Sequence, residues 1–508
     1  MNAFALPLVI YYFLVIAVVC LYGLHRYWVT WVFLRTRSAR PPVPPPPSPD
    51  DLPRVTVQIP MYNEKRVARR IIDAAAGLDY PHDRLQIQVL DDSTDETAEL
   101  ARRCCERHAA TGVDIRFLHR DHREGYKAGA LARALPLATG ELIAVFDADF
   151  VPPPDFLRHV VPDLSDPGVG MVQARWTHLN ANDSILTRIQ ALFLDGHFVV
   201  EQTARSRAGR WFNFNGTAGV WRRSCIEDAG GWQLDTLTED TDLSYRAQLA
   251  GWRFVYRDDV TCPAEIPPTI SAFLSQQHRW NKGLIQTAVK LLPRILRSDA
   301  PLATKVEAWF HLTSPFVHIA ILLLVTLVVP SLLLTLPLED VDRVYGLLYG
   351  GAFLGLGACA AGAFYLASQW AQGASLWRTI WRLPALFAIG IGITVLNTRA
   401  IIEALLGRHS PFVRTPKFAG DLVSEPDPAA APRRRRLPAG MVETALGVVM
   451  LACFVIATMR SFSLVAAPFI LLFAAGFLAV GIASWRDDRR AAARVVSRAL
   501  PADTRIPA

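Results

Sequence analysis

Leu142-Ile143-Ala144-Val145-Phe146-Asp147-Ala148-Asp149 joins five apolar residues to two carboxylates one residue apart. An apolar run of this length, ended by polar residues, has the pattern of a strand buried on both faces, as in sheets covered by helices. Two acidic residues in a loop are more often solvated turn formers. Directly after a buried strand, however, they stand where open α/β sheets bind ligands, beyond the carboxyl ends of the strands. There Asp147 and Asp149 can share a divalent cation and the diphosphate it neutralises.

Upstream, residues 54–59 read as a strand, and residues 64–78 as a helix with Val67, Ile71, Ala74, Ala75 and Leu78 on one face. Residues 85–90 make a second strand, Ser93 and Glu96 a capping box for a helix to about residue 108, residues 115–118 a third strand and residues 128–137 a helix. This alternation implies a mostly parallel sheet with helices on both faces. Pro60, Tyr62, Asn63 and Glu64 then follow the first strand, Asp91 and Asp92 the second, and Asp147 and Asp149 the fourth, around one crevice.

Downstream, Thr238-Glu239-Asp240 opens a helical pattern through Leu243, Tyr245 and Leu249. Acidic residues there suit the helix dipole. Alternatively, one carboxylate is a general base that takes a hydroxyl proton as the hydroxyl attacks an anomeric carbon. Gln276-Gln277-His278-Arg279-Trp280 puts an amide, a cation and a large aromatic within about one helical turn. Trp and Arg are common membrane-border anchors, but here Arg279 also offers a phosphate contact and Trp280 an apolar platform for a sugar ring.

The chain has 508 residues, 51% of them hydrophobic, and a mean hydropathy of +0.22, so part of it is expected in lipid. A membrane helix needs about 20 mostly apolar residues. Residues 3–24 read as an uncleaved anchor rather than a signal peptide: a basic leader is lacking, and Trp28, Trp31, Arg35, Arg37 and Arg40 follow. Later candidates are residues 315–336, 347–368, 442–458 and 462–483. Residues 383–406 carry Arg399 and Glu403 at helix spacing and read as re-entrant or interfacial, the alternative being a sixth span. The formal charge of +7 gathers beside these hydrophobic segments, as in Arg433 to Arg436, which favours anionic lipid headgroups over nucleic acid.

Seven scattered cysteines without CxxC or metal-ligand spacing fit a reduced, cytosolic soluble part. No GxGxxG follows the first strand and no Walker A sequence occurs, which argues against a dinucleotide oxidoreductase and a P-loop NTPase. Asn215-Gly216-Thr217 matches the N-glycosylation pattern, but the expected topology keeps it in the cytosol. A transporter would show broken or polar helices at the bilayer midplane, hinted at only by Arg399 and Glu403. The assembled carboxylates weigh against a membrane-binding module without catalysis.

With these residues in hand, the chain resembles the family 2 processive glycosyltransferases: cellulose synthases and, most nearly, cellulose synthase-like mannan and glucomannan synthases. The likeness covers about residues 54–283 and rests on motifs in order. They are Gln58-Ile59-Pro60-Met61-Tyr62-Asn63-Glu64, Arg123-Glu124-Gly125-Tyr126-Lys127-Ala128-Gly129, Val172-Gln173-Ala174-Arg175-Trp176, Phe214-Asn215-Gly216-Thr217-Ala218-Gly219-Val220-Trp221 and Gln276-Gln277-His278-Arg279-Trp280. The resemblance implies a GT-A fold, a nucleotide-sugar donor, Mg²⁺ or Mn²⁺ and inversion to a β-linkage.

It further implies that Asp91 and Asp92, with Pro60, Tyr62 and Glu64, hold the nucleoside end of the donor. Asp147 and Asp149 would bind nucleotide and metal, with Asp149 the principal ligand. Lys127, Gln276 and Arg279 would contact the diphosphate, Asp240 would deprotonate the acceptor, and Trp280 with Asn215, Gly216 and Thr217 would bind it. Phe412-Val413-Arg414-Thr415-Pro416-Lys417 is similar to the gating loop of cellulose synthases, departing at Arg414, and nothing resembles a PilZ domain.

The expected organisation is an α/β, Rossmann-like GT-A domain, cytosolic and inserted between transmembrane α-helices. Residues 1–34 would be the anchor, 35–53 a Pro-rich linker, 54–290 the catalytic domain, 291–485 interfacial and transmembrane helices with a cytosolic loop at about 407–438, and 486–508 a basic cytosolic tail. The expected activity is hexosyl transfer from UDP-glucose or GDP-mannose to a β-linked, β-1,4, polysaccharide at the plasma (inner) membrane, with translocation through the chain's own helices. The alternative is a glycolipid synthase that adds one glucose to diacylglycerol or another lipid.

Overall fold

Val55, Val57, Ile59 and Met61 bury one face of strand β1 (Val55–Met61) in the first core, while Thr56 and Gln58 on the other face meet Gln86 and Gln88 of β2 (Leu85–Asp91) at 3.0 and 2.9 Å. Both faces are covered, so the polar side chains inside must pair with one another. The computed structural model describes residues 5–39, 44–45, 48, 51–333, 353–408, 438–459 and 467–499. Among them, β3 (Asp114–His119), β4 (Leu142–Val145), β5 (Val169–His178), β6 (Gly219–Arg222) and β7 (Arg253–Ala264) complete a sheet of order β3-β2-β1-β4-β6-β5-β7. β1 runs parallel to β2 and β4, β2 to β3, and β5 to β7; β6 is antiparallel to both its neighbours.

In chain order the helices are α1 (Ala5–Thr36), α2 (Ala68–Ala76), α3 (Thr97–Ala109), α4 (Tyr126–Ala134), α5 (Phe156–Val160), α6 (Ile185–Asp195), α7 (Gln202–Arg207), α8 (Arg223–Asp228), α9 (Glu239–Leu249) and α10 (Ile270–Arg297). α2, α3 and α5 supply Ile71, Ala101 and Phe156 to the core on one face of the sheet; α4, α6 and α9 supply Leu131, Leu194 and Leu243 to the core on the other. The sheet is thus sandwiched, as the expected α/β class requires.

Three local expectations change. The helix read over residues 64–78 is Ala68–Ala76, because the Glu64 carbonyl accepts from Val67 and Ala68 in the turn before it. Ser93 forms no capping box: its hydroxyl accepts from the Asn63 backbone at 2.8 Å, and Asp95 accepts from Thr97 N at 2.9 Å instead. The helix read over residues 128–137 begins at Tyr126 and gives way to a 3-10 turn, Leu135–Leu137, at Pro136.

Beyond the sheet lie α11 (Leu302–Thr313), α12 (Phe316–Leu333), α13 (Cys359–Ala371), α14 (Leu376–Gly392), α15 (Thr394–Leu405), α16 (Met441–Met459) and α17 (Ala467–Ala499). Among the described residues three helical stretches are long and apolar enough to cross a membrane: Leu14–Thr36, Met441–Met459 and Ala467–Arg490. Two bent pairs raise this to five if each is one span: α11 with α12, at 56°, and α14 with α15, at 42°. Pro315 marks the first break. The second falls within the segment read as re-entrant or interfacial. The Phe412–Lys417 motif, the Arg433–Arg436 run, the start of the 347–368 candidate and residues 500–508 lie outside the described residues.

Candidate active site

Strand order reverses at β1, with β2 and β3 on one side and β4 on the other, so the crevice beyond β1 and β4 is the sheet's switch point. Two loops are tied together there. Asn63, at φ 54°, accepts from Thr94 N at 2.9 Å while its own N–H reaches Ser93. Asp92 receives both arms of Arg120, at 2.6 and 2.5 Å, and the same guanidinium donates to the carbonyls of Glu124 and Tyr126. A bidentate carboxylate–guanidinium pair is rigid; it fixes the turn that delivers Lys127. Asp91 is fully buried and takes a hydrogen bond from His119 Nδ1 at 2.7 Å. Pro60 lies opposite Leu90 in the β1–β2 register, Glu64 is buried, and Tyr62 carries the Arg123 guanidinium 3.5 Å over its ring.

Across the crevice the acidic and basic groups converge. Lys127 Nζ lies 2.5 Å from Asp147 and donates to the Gly216 carbonyl at 2.8 Å. Thr217 Oγ1 accepts from Asp147 N at 2.8 Å. Gly216 has a φ of +85°, and a side chain begun there would start 3.0 Å from Asp240 Oδ2 and 3.4 Å from Lys127 Nζ. The left-handed backbone there favours glycine, and both charged groups come close to it. Glu239 and Asp240 open α9, and the Thr241 N–H donates to Asp240 at 2.7 Å.

The electrostatics follow from this convergence. Burial, then the Glu239 charge, pushes the Asp240 carboxyl up to about 7 against the pull of Lys127. Glu239 is raised too, chiefly by burial. Lys127 is raised because Asp147, Glu239 and Asp240 outweigh its burial. Burial lowers Arg279, opposed by Glu239, Asp147, Asp240 and Asp149, so all four acids lie within electrostatic reach of one guanidinium. Asp149 is buried, and its carbonyl accepts from Arg70 at 3.3 Å while Arg70 pairs with Glu265 at 2.7 Å.

Gln276, Arg279 and Trp280 all stand on α10, and Trp280 packs against the core that holds Phe214. α10 meets the start of α9 through Gly283, where an added side chain would lie 2.5 Å from Thr238, and Leu237 N donates to Gln286 at 2.9 Å. Helix contact therefore sets Arg279 against Glu239 and Asp240.

Several residues at the site were given no role of their own in the sequence reading. Glu239 is a second acid beside Asp240. Gln173 accepts from Asn215 N at 2.9 Å and donates to the carbonyls of Thr217 and Ala218 at 3.1 and 3.0 Å, so it templates the loop around Gly216. Its place in the Val172–Trp176 motif was the available signal. His119 and Arg120 gave none beyond proximity to Lys127.

Among the described residues no three His, Cys, Asp or Glu groups form a ready-made metal cage. Asp147 and Asp149 supply two hard oxygen donors near two cations that suit a diphosphate. That set fits Mg²⁺ or Mn²⁺, which commonly takes one or two carboxylates and completes its shell with phosphate and water.

A family model described as "Glycosyltransferase like family 2" matches residues 53–283. Glucomannan 4-beta-mannosyltransferase 1 of Oryza sativa subsp. japonica is 46% identical over 276 residues, 52% of this chain and 52% of its own. Glucomannan 4-beta-mannosyltransferase 7 of Arabidopsis thaliana is 36% identical over 420 residues, 79% of this chain and 71% of its own. Over the first of these relatives the chain spans about half their length. A mannosyltransferase from Pyrobaculum calidifontis, solved with GDP-Man and Mn²⁺, superposes with a TM-score of 0.52 at 24% identity, covering 79% of this chain and all of that one, and shares the GT-A fold. On the strength of the site, the sheet and these relatives, the chain belongs to glycosyltransferase family 2, alongside the glucomannan 4-β-mannosyltransferases.

Proposed function

We propose that the chain is a multi-pass membrane hexosyltransferase that elongates a β-1,4-linked polysaccharide by inversion, with GDP-mannose preferred to UDP-glucose. Its catalytic domain faces the cytosol at the plasma (inner) membrane. One juxtaposition carries the chemistry: Asp240 Oδ2 and Lys127 Nζ both come close to Gly216, with burial pushing the Asp240 carboxyl up to about 7. A base poised near neutrality and a cation for a leaving group are what a single displacement needs. The names of the plant relatives support mannose and the 4-β linkage.

In this mechanism the acceptor hydroxyl gives its proton to Asp240 as its oxygen attacks the anomeric carbon. Lys127 and Arg279 offset charge growing on the departing diphosphate. Trp280 stacks on the acceptor ring, with Asn215, Gly216 and Thr217 as the polar side of that subsite. Asp91 and Asp92, with Pro60, Tyr62 and Glu64, hold the nucleoside end, and Gln276 assists at the diphosphate. Asp147 and Asp149 would hold Mg²⁺ or Mn²⁺, which when bound supplies positive charge to the diphosphate.

Membranes carrying the chain, given Mg²⁺ or Mn²⁺ and GDP-mannose or UDP-glucose separately, test the reading by product size and linkage. Polymer that survives organic-solvent extraction and carries 4-linked hexose is the expected result. A product of one hexose found wholly in the lipid phase would reject elongation, and no nucleotide release from any donor would reject transfer.

A further inference from the structure

The loop of residues 213–218 presents Gly216 to Asp240 and Lys127 on one side. Asn215 of the same loop is held by polar side chains that no step above uses. Gln202 Nε2 donates to Asn215 Oδ1 at 2.6 Å, which turns the Asn215 amide nitrogen towards His197 Nε2, 2.9 Å away. An amide nitrogen only donates, so His197 Nε2 accepts and its proton sits on Nδ1. Nδ1 faces Glu201 at 2.8 Å, and Glu201 pairs with Arg26 of α1 and lies 3.7 Å from Arg205. Every link matches a donor with an acceptor.

Burial pushes the Glu201 carboxyl up, but Arg26, Arg205 and His197 outweigh it and hold it well below the usual range, which keeps it an acceptor for Nδ1–H. His197 and Glu201 stand on a π-helical turn, Gly196–Glu201, between α6 and α7. Such turns recur at functional sites. Asn215 has two amide hydrogens and gives one to His197, which leaves the other for a hydroxyl of an acceptor sugar.

We propose that His197 is a positioning residue for the acceptor: through Asn215 it fixes the 213–218 loop against α1, and so sets the acceptor hydroxyl relative to Asp240. The inference rests on the glycosyl-transfer reading and adds a link from the first membrane helix to the acceptor subsite. Amide isosteres separate it from a general folding role. The Gln amide oxygen reaches the place of Nε2 and can accept from Asn215, whereas Asn reaches only the place of Nδ1.

The test uses the full chain in detergent. His197→Gln should keep the acceptor KM within about threefold of wild type, while His197→Asn raises it at least about tenfold with donor affinity unchanged. Hydrogen exchange across residues 213–218 should accelerate in His197→Asn and not in His197→Gln, at matched melting temperatures. Equal behaviour of the two variants, or lost donor affinity at unchanged acceptor KM, would overturn the proposal. Wild type that transfers no hexose would instead sink the transfer reading. Exchange then decides alone: loop protection in His197→Asn equal to wild type overturns the positioning role, and a loss confined to His197→Asn supports it.

Discussion

Asp240 is a carboxyl whose charge is resisted by burial and by Glu239 next to it. Transfer should therefore fall as the pH drops through about 7, because the protonated acid cannot take the acceptor's proton. Asp240→Asn should keep donor binding and lower turnover by about 10²–10⁴-fold. The stability sign is opposite. A carboxyl raised in the fold is costly there once ionised, so at pH 8 the Asn variant should melt no lower than wild type. Near-normal turnover, or a flat pH profile between pH 5 and 8, would remove Asp240 from the base role. At this scale the sequence singled out residues whose chemistry is unusual for their surroundings, paired carboxylates after a strand and Arg beside Trp, while Lys127 came only from the motif resemblance. The roles of His197 and Gln173 went unread because an ordinary His or Gln takes its meaning from partners such as Asn215, 18 and 42 residues away.

The contact of α9 with α10 depends on one missing side chain. Gly→Ala inside a helix ordinarily stabilises it by about 1 kcal/mol. At Gly283 the new methyl would start 2.5 Å from the Thr238 methyl and 2.8 Å from its backbone nitrogen, inside contact distance. Overpacking of this kind costs about 1–3 kcal/mol. Gly283→Ala should therefore lower the melting temperature and, by prising Arg279 away from Glu239 and Asp240, cut turnover more than donor affinity. A rise in melting temperature with full activity would show that the helices do not need this contact. Three strands were readable from their burial: β2 and β4 are unbroken buried runs, and β1 is interrupted only at half-buried Pro60. β5, β6 and β7 were not read as strands; in β7, Arg253, Arg257, Asp258 and Asp259 interrupt the apolar pattern at the sheet edge, beside β5. Ser93 misled because a capping signal states a possibility, and Asn63 competed for the same hydroxyl.

For the whole molecule, the question is how the catalytic sheet stays in register with the helices beside it. Lys282, fully buried on α10, lies 3.3 Å from Glu403 of α15, which also meets His278 at 3.2 Å and Arg399 at 2.8 Å. Sequence reading saw Arg399 and Glu403 as charges in a doubtful membrane segment; in the fold, Glu403 is the clamp between α15 and the helix that carries Gln276, Arg279 and Trp280. Removing one partner of a fully buried pair costs about 3–5 kcal/mol, an upper limit for half-buried Glu403, whereas replacing both with apolar groups is often neutral. Glu403→Leu should therefore lower the melting temperature and turnover together, and Lys282→Met with Glu403→Leu should recover most of the melting temperature. Recovery of turnover in the double variant would mean that packing alone seats α10. Stability restored with turnover still low would mean that the charges aim Arg279 and Trp280. A Glu403→Leu single variant as stable as wild type would show that the ion pair does not join the two helices.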